Sequence, residues 1–448
     1  MNERSSMKDE MTFLAGGGAN FIGKSFYRFK LGDKLLGVDW GGGYGSPYDE
    51  PEYSGPLHWL FLSHAHLDHL EKAPAFHKRY PGVPIYATRE TKELGRVIWN
   101  ESIKIAERRR QQNQGVFTRR NRLYVPSAYS GASYDMDDIH RTFDAIIEIK
   151  LGEPVKLTED IEITPVNSGH MLGSASFFII YKGEVGFITN DICFRDRNLI
   201  KGAEKYKAER LRFLVRESTY ISDTFLDREM VKENLIEATS KVLKGGGRVL
   251  IVSLQIDRMQ DVLGILNEGE VNQEWPVYTE GSKAVTEIYK KFLPDESGTL
   301  SGNRFRDDRE RERFNDSGQP AVIVSSSGMM IQDTYSARWA EKFVYNERDG
   351  VFFVNYQAPE EQGHALLTSD RGRFLILNGN VVRRECEVES FQLSSHMDKR
   401  DGEELEKNLN PETIIYAHGD NNKIVRYLAE HANGTRRIKA EVGKEVHL

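Results

Sequence analysis

Three imidazoles and a carboxylate fall within six positions in the stretch Ser63-His64-Ala65-His66-Leu67-Asp68-His69-Leu70. Leu57 to Leu62, just before it, is nearly all apolar and reads as a short buried strand, so the cluster hangs from a strand end. Alternate side chains of an extended backbone share a face, so His64 and His66 can point the same way. Asp68 and His69 follow where the chain turns toward a helix, and can address a second point in space. Nitrogen and oxygen donors of this kind suit Zn²⁺, and Mn²⁺ accepts the same set. Two such groups suit two metal ions about 4 Å apart, which can hold a hydroxide and clamp a phosphodiester oxygen. Any one of these histidines alone reads as a surface or hydrogen-bonded residue. Four ligand types in H-x-H-x-D-H order do not.

Ligand types recur at other strand ends. Asp39 follows the segment Lys34 to Val38 and precedes Gly41-Gly42-Gly43; there it orients a metal ligand from behind or simply forms the turn. His170 lies in Ser168-Gly169-His170-Met171-Leu172-Gly173, and Asp191 in Thr189-Asn190-Asp191-Ile192. Beside the 64–69 cluster these two are the natural missing ligands. Asp191 has two oxygens with which to bridge two metals. His396, in Ser394-Ser395-His396-Met397-Asp398, and His418, in Ala417-His418-Gly419-Asp420, are strand-end residues too. His58, His77, His140, His364, His431 and His447 lie in no such cluster and read as structural or exposed.

The chain has 448 residues, enough for two or three domains with ample core. Its formal net charge of −7 excludes binding a polyanion by bulk charge and requires a local patch or a metal. The best candidate for a backbone-binding patch is the basic run Lys104, Arg108, Arg109, Arg110, Arg119, Arg120 and Arg122. The only cysteines, Cys193 and Cys386, argue against a disulfide framework and are too few for a thiolate zinc site. Residues 1–11 are polar and do not read as a signal peptide. No apolar run reaches the length of a membrane span. These features predict a cytoplasmic protein with no membrane partner.

The elements that must position the site follow from the periodicity. Gly18-Ala19-Asn20-Phe21-Ile22-Gly23-Lys24-Ser25 fits the P-loop pattern G-x-x-x-x-G-K-[ST]. However, Ser25 to Leu31 alternates like a strand, where a phosphate loop needs a helix. A Gly-rich bend between strands is the preferred reading. Helices are expected over 71–80, 89–107 and 137–147, with Asp138 and His140 exposed. Strands are expected over 154–157, 161–166, 174–181 and 184–188. Near residue 211 the pattern becomes the strand–helix alternation of a parallel sheet, with 295–319 as a surface excursion. Ser325 to Met330 reads as a strand-to-helix turn able to offer N–H groups to an anion. Strands and loops return near 390.

The order Asp39, His64-Ala65-His66-Leu67-Asp68-His69, His170, Asp191 resembles the metallo-β-lactamase superfamily. Glu217-Ser218-Thr219-Tyr220, Ser395-His396-Met397-Asp398 and Ala417-His418-Gly419-Asp420 match the three extra motifs of its β-CASP branch. Ser253 to Asp261 resembles the branch's GRAQE stretch through Arg258 and Gln260, and Gly328-Met329-Met330 also matches. The likeness runs from about residue 12 to 431. It is strongest to the nuclease subunit of eukaryotic mRNA 3′-end cleavage factors and its prokaryotic relatives. There are departures: Thr189-Asn190-Asp191 stands where Thr-Gly-Asp is commoner, Asp420 where Glu is commoner, and His364 where Arg is frequent. The pattern includes neither an N-terminal KH-type domain nor the C-terminal domain of the RNase J group.

The resemblance implies an α/β fold, an αββα sandwich formed by residues 11–210 and 391–448. A parallel-sheet α/β β-CASP domain is inserted at 211–390. It implies two zinc ions per chain. His64, His66 and His170 would bind one, and Asp68 and His69 the other. Asp191 would bridge, His418 would complete the second site, and Asp39 would support from behind. Asp68, Glu217 and His396 would be catalytic. Metal-bound hydroxide would attack in line, and His396, paired with Glu217, would act as general acid to the leaving oxygen. The carboxylate would raise the His396 pKa and fix its tautomer. Ser394, Ser395, Gly328 and Arg258 are expected at phosphate. The implied activity is hydrolysis of single-stranded RNA in processing or decay, leaving a 3′-hydroxyl and a 5′-phosphate. DNA-processing members usually lack a histidine at the place of His418. A single-stranded DNA nuclease and a non-catalytic RNA-binding subunit are the alternatives. A homodimer and processing-complex partners are further expectations.

Overall fold

The structure, a computed structural model, describes residues 10–43, 50–116, 133–432 and 434–448, with the backbone alone over 108–116. The strands of the first part are β1 (Met11–Gly17), β2 (Phe26–Leu31), β3 (Lys34–Val38), β4 (Trp59–Phe61), β5 (Ile85–Thr88), β6 (Ile146–Ile149), β7 (Val155–Lys156), β8 (Ile161–Asn167), β9 (Ala175–Tyr181), β10 (Glu184–Ile188) and β11 (Leu211–Glu217). The middle part holds β12 (Val249–Val252), β13 (Val277–Glu280), β14 (Val322–Ser325), β15 (Gly350–Phe353), β16 (Phe374–Leu377), β17 (Asn380–Arg383) and β18 (Glu387–Ser390). The last part adds β19 (Pro411–Ala417), β20 (Arg436–Lys439) and β21 (Glu445–His447).

Contacts divide the chain into two units. The first comprises Met1–Asp196, Gly202–Thr224 and Ser395–Leu448; the second comprises Arg197–Lys201 and Phe225–Ser394. In the first unit two seven-stranded sheets run in the orders β21-β1-β2-β3-β4-β5-β6 and β20-β19-β11-β10-β9-β8-β7. Their inner faces meet through aromatics, with Phe29 stacked on Phe213 at 5.5 Å and Phe61 edge-on to Phe177 at 5.6 Å. Helices cover the outer faces. On the second sheet, Leu405 and Leu409 of the helix Lys399–Leu409 and Ile424 and Tyr427 of the helix Asn421–Glu430 pack over Leu214, Ile414 and Tyr416. This is an αββα sandwich.

The second unit carries a five-stranded sheet in the order β13-β14-β12-β15-β18, parallel throughout. β12, β14 and β15 are buried along their whole length, as a parallel sheet covered on both faces requires. Helices Arg258–Glu268, Lys283–Phe292 and Tyr335–Phe343 lie in the crossovers, and helix Arg228–Lys244 precedes the first strand.

The structure differs from the sequence reading at several places. β11 pairs in parallel with β10 and β19, so it belongs to the sandwich and not to the insert. The units change at Thr224/Phe225 and Ser394/Ser395 rather than near 210 and 390. The excursion 295–319 contains the helix Asp308–Ser317, polar all round with only Phe314 buried, so no apolar period marks it. Short strands β6, β17, β20 and β21 were not expected; β20 and β21 are edge strands whose charged residues mask alternation. The turn after β14 does not open a helix, because the next helix begins at Tyr335. As expected, β2 and not a helix follows the P-loop-like bend. The side chains of Arg108, Arg109 and Arg110, and residues Arg119, Arg120 and Arg122, lie outside the described residues. Lys104 is exposed. Among the described residues no helix is long and apolar enough to cross a membrane.

Asp138 is buried, contrary to expectation, while His140 is exposed. Asp138 closes a capping box with Asp135 at the start of the helix Met136–Ala145, and it takes hydrogen bonds from Lys78 at 2.7 Å and Arg141 at 2.6 Å. Burial alone would raise its carboxyl; the bonds from Lys78, Arg141 and the Asp135 amide outweigh burial and bring it down to about 2. Asp138→Ala is expected to cost about 1–2 kcal/mol, read as a lower urea midpoint. A depressed folded pKa stabilises fully above the unfolded value of about 3.9, and the effect fades as pH falls toward 2. The gap between variant and wild type should therefore hold from pH 7 to about 5 and shrink below about pH 4.

Candidate metal centre

Every candidate ligand sits where a strand of the first unit releases the chain. Asp39 follows β3, His64 and His66 follow β4, His170 follows β8, Asp191 follows β10 and His418 follows β19. Asp68 and His69 lie on the short helix Leu67–Leu70. Three non-glycine residues at these exits have positive φ: Asp39 (64°), Asn190 (46°) and His418 (51°). Asn190 thus occupies a left-handed conformation that glycine adopts without strain and asparagine tolerates. This accounts for a glycine being commoner there. Gly41 is required by close approach, since a Cβ would lie 1.7 Å from the Asp68 carbonyl oxygen.

Two groups of donors converge. His64, His66, His170 and Asp191 place ligand atoms within 4.8 Å of one another, and so do Asp68, His69 and His418. Asp191 borders both groups. Its Oδ2 is 3.6 Å from His64 Nε2, 3.6 Å from His170 Nε2 and 3.5 Å from His69 Nε2. Its Oδ1 is 3.2 Å from His418 Nδ1. Asp68 Oδ2 is 3.2 Å from His418 Nε2.

The hydrogen bonds behind the ligands test whether a cation fits. His170 Nδ1 faces the Ser395 backbone carbonyl at 2.8 Å. A carbonyl only accepts, so Nδ1 carries the proton and Nε2 turns a lone pair inward. His69 Nδ1 faces Asp39 Oδ2 at 2.6 Å, so Nδ1 carries a proton and Nε2 is the nitrogen turned inward. Ser63 Oγ donates to Asp39 Oδ2 at 2.8 Å, which leaves it accepting from His64 Nδ1 at 2.9 Å. His64 Nε2 is then a buried lone pair with no hydrogen-bond partner among the described residues. Inward lone pairs from His64 and His170, with the inward Nε2 of His69 beside two carboxylates, are a donor set that a divalent cation satisfies.

The electrostatics agree. Burial holds His64 and His170 well below the usual histidine range, so both are neutral. Burial would raise Asp191, but His418 and His69 outweigh it and hold the carboxylate ionised. Asp68 is held low in the same way by His69 and His418. Around His69, Asp191, Asp68 and Asp39 outweigh burial and raise its pKa well above the usual range. That field favours positive charge at this point.

Glu217, at the end of β11, joins His396 beside the ligands. Its Oε2 lies 2.8 Å from His396 Nδ1, and its Oε1 accepts from the Ile192 amide at 2.9 Å. Nδ1 therefore carries the bonded proton, and Nε2 is the nitrogen that can exchange one. The His396 ring is 4.6 Å from the His170 ring and 5.8 Å from the Tyr220 ring.

The residues expected at phosphate are placed differently. Ser395 is buried, and its carbonyl orients His170. Ser394, Gly328 and Arg258 belong to the second unit. The Gly328 carbonyl accepts from Asn355 at 2.9 Å and Gln357 at 2.7 Å. Arg258 is buried with its Nη1 3.4 Å from Asp261, and burial lowers its pKa. Sequence reasoning missed Ser63, Thr219, whose Oγ1 is 3.3 Å from His418 Nδ1, and Arg195, whose Nη2 donates to the His396 carbonyl at 2.9 Å. Ser63 and Thr219 lie within named motifs, but membership alone assigns no role. Arg195 carries no local signal.

An αββα sandwich holding this donor set at its strand ends defines a metal-dependent hydrolase. The chain belongs to the metallo-β-lactamase superfamily, in its β-CASP branch. Residues 53–221 match the metallo-beta-lactamase superfamily domain, 259–366 the Beta-Casp domain, and 381–448 the Zn-dependent metallo-hydrolase RNA specificity domain. The probable RNase MJ4 of Methanocaldococcus jannaschii is 26% identical over 98% of this chain and 100% of its own length. RNase aCSPSF2 of Saccharolobus solfataricus is 27% identical over 96% of this chain and 84% of its own. Endoribonuclease YSH1 of Gibberella zeae is 25% identical over 96% of this chain and 56% of its own. A crystal structure of a protein of unknown function from Enterococcus faecalis V583 superposes with a TM-score of 0.57 at 14% identity, over 98% of this chain and 100% of that one, and shares the fold.

Asp39→Ala removes the acceptor behind both His69 and Ser63. Metal affinity, measured by chelator competition, is expected to fall about 10–100-fold with the fold retained. Unchanged affinity would mean that His69 needs no such support.

Proposed function

We propose that this chain is a zinc-dependent ribonuclease that hydrolyses phosphodiester bonds of single-stranded RNA. One observation carries the reading: the Glu217–His396 pair, at 2.8 Å, stands with its ring against His170 of a complete metal-donor set. A hydrolase that expels a poor leaving oxygen needs such a proton donor beside its metals. Relatives named as RNases over nearly the whole chain, and the RNA specificity domain at 381–448, support RNA as substrate.

His64, His66 and His170 would hold one zinc ion and Asp68, His69 and His418 a second, with Asp191 available to both; Mn²⁺ would suit the same atoms. When bound, they supply Lewis-acid polarisation of the phosphoryl group and an acidified water. Asp68, ionised and beside His418, takes the proton of the attacking water. His396 gives the proton on Nε2 to the departing 3′-oxygen, which leaves a 3′-hydroxyl and a 5′-phosphate. Glu217 holds the ring through Nδ1 and stabilises the charged imidazole. Cys193 and Cys386 are both buried and unpaired, which fits the cytoplasm as the place of action.

The test is 5′-labelled single-stranded RNA, beside the DNA oligonucleotide of the same sequence, with metal content measured on every protein. Wild type is expected to cleave the RNA. His64→Ala/His66→Ala should lose metal and cleavage together, and His396→Ala should keep its metal while kcat falls about 10²–10⁴-fold. Cleavage of DNA alone, or His418→Ala cleaving RNA at the wild-type rate, would overturn the assignment.

A further inference from the structure

A second buried charge cluster lies in the first unit. Arg216 is the penultimate residue of β11, directly before Glu217, and is 1% exposed. Its Nη1 donates to Glu406 Oε1 at 2.8 Å, and its Nε donates to the Glu217 backbone carbonyl at 3.2 Å. Glu406 also accepts from Tyr416 Oη at 2.8 Å and from Arg437 Nη2 at 2.8 Å. Arg437 Nε closes the loop onto Tyr416 Oη at 3.1 Å.

Three of the four members sit on elements that carry or adjoin a residue of the site, and Arg437, on β20, braces them. Arg216 is on the strand that ends in Glu217. Glu406 is on the helix Lys399–Leu409, which starts three residues after His396. Tyr416 is on β19, two residues before His418. Gly402, on the same helix as Glu406, lets the guanidinium approach: a Cβ there would lie 2.2 Å from Arg216 Nη2 and 2.4 Å from Nη1.

Packing alone does not call for this arrangement. The surroundings are apolar, with Leu214, Ile414, Met397 and Leu405 close by. Aliphatic side chains would fill such a space without the cost of desolvating two guanidinium groups and a carboxylate. Ion pairs add direction, which aliphatic packing lacks. Proton donation needs that direction, because an error of about 1 Å at a reacting group costs on the order of 10²-fold in rate.

We propose that Arg216 is a positioning residue for the Glu217–His396 pair, acting through its bonds to Glu406 and to the Glu217 carbonyl. This rests on the ribonuclease reading above. The test is a double-mutant cycle on single-stranded RNA with wild type, Arg216→Lys, Glu217→Gln and the double variant, all checked for metal content and thermal unfolding. Arg216→Lys is expected to lower kcat about 10–100-fold, keep KM within about twofold and retain wild-type metal. In the Glu217→Gln background it should lower kcat by less than about threefold, because the pair it positions is already broken. If Arg216→Lys does not fold, Tyr416→Phe, which removes one bond to Glu406 and keeps the shape, runs the same cycle with a smaller drop expected. Equal losses in both backgrounds, wild-type kcat in the single variant, or loss of metal with folding intact would overturn the inference. A wild type inactive on RNA overturns the ribonuclease reading, and this inference with it.

Discussion

A carboxylate in a dry pocket is tolerable only beside positive charge, and Asp191 is buried with four histidines, His64, His69, His170 and His418, within 3.6 Å of its oxygens. This constraint organises the rest of the first unit. Ionised carboxylates and imidazoles can share such a pocket only if the outward imidazole N–H groups find acceptors. The Asp39 carboxylate, the Ser63 hydroxyl and the Ser395 carbonyl are those acceptors. They come from β3, β4 and the segment before the helix Lys399–Leu409, so the sandwich must close before the donor set exists. Fold and site are one energetic problem here.

The same reasoning explains why the site sits at strand ends. A strand exit is where the backbone can leave the ladder and turn a side chain inward without losing a paired amide. Three exits do so at positive φ, a conformation that costs a non-glycine residue on the order of 1–3 kcal/mol and persists only under firm bonding. The bonding is present. The Asp39 amide donates to the Phe61 carbonyl at 2.8 Å, and the His418 amide donates to the Gly18 carbonyl at 2.8 Å. The neighbouring strands thus supply what holds the strained turns.

Legibility in the sequence follows the range of each interaction. His64 to His69 is readable because its chemistry is local and its spacing matches an extended turn. His170, Asp191 and His418 are single residues that acquire meaning only beside that cluster. The pairing of His396 with Glu217 spans 179 positions and comes from motif resemblance, since no periodicity links the two. The parallel sheet of the second unit is plain from its apolar runs. β20 and β21 are not, because short edge strands with charged residues carry no alternation. β11 reads as the opening of the insert because Leu211 to Val215 is mostly apolar, and apolarity does not say which sheet a strand joins. Arg258 is expected at phosphate through the motif resemblance, and in the structure it is buried with its Nη1 3.4 Å from Asp261.

The Gly-rich bend after β1 shows how a motif can be physically right and functionally wrong. Gly18 to Ser25 fits a phosphate loop, whose purpose is to present backbone groups at close range. It does present them, but to the protein. The Gly18 carbonyl takes the His418 amide at 2.8 Å and the Tyr27 hydroxyl at 2.7 Å. The Ser25 amide donates to the Asp68 carbonyl at 2.8 Å, and the Ser25 carbonyl accepts the Gly41 amide at 3.0 Å. Gly18 has φ 57°, and a Cβ there would meet Ser25 Oγ at 2.7 Å. Glycine is needed for the reason a phosphate loop needs it, close approach of the backbone, but what approaches is the loop that carries Asp68 and the turn that carries His418. The bend therefore braces Asp68 and His418, two members of one candidate donor group, from behind.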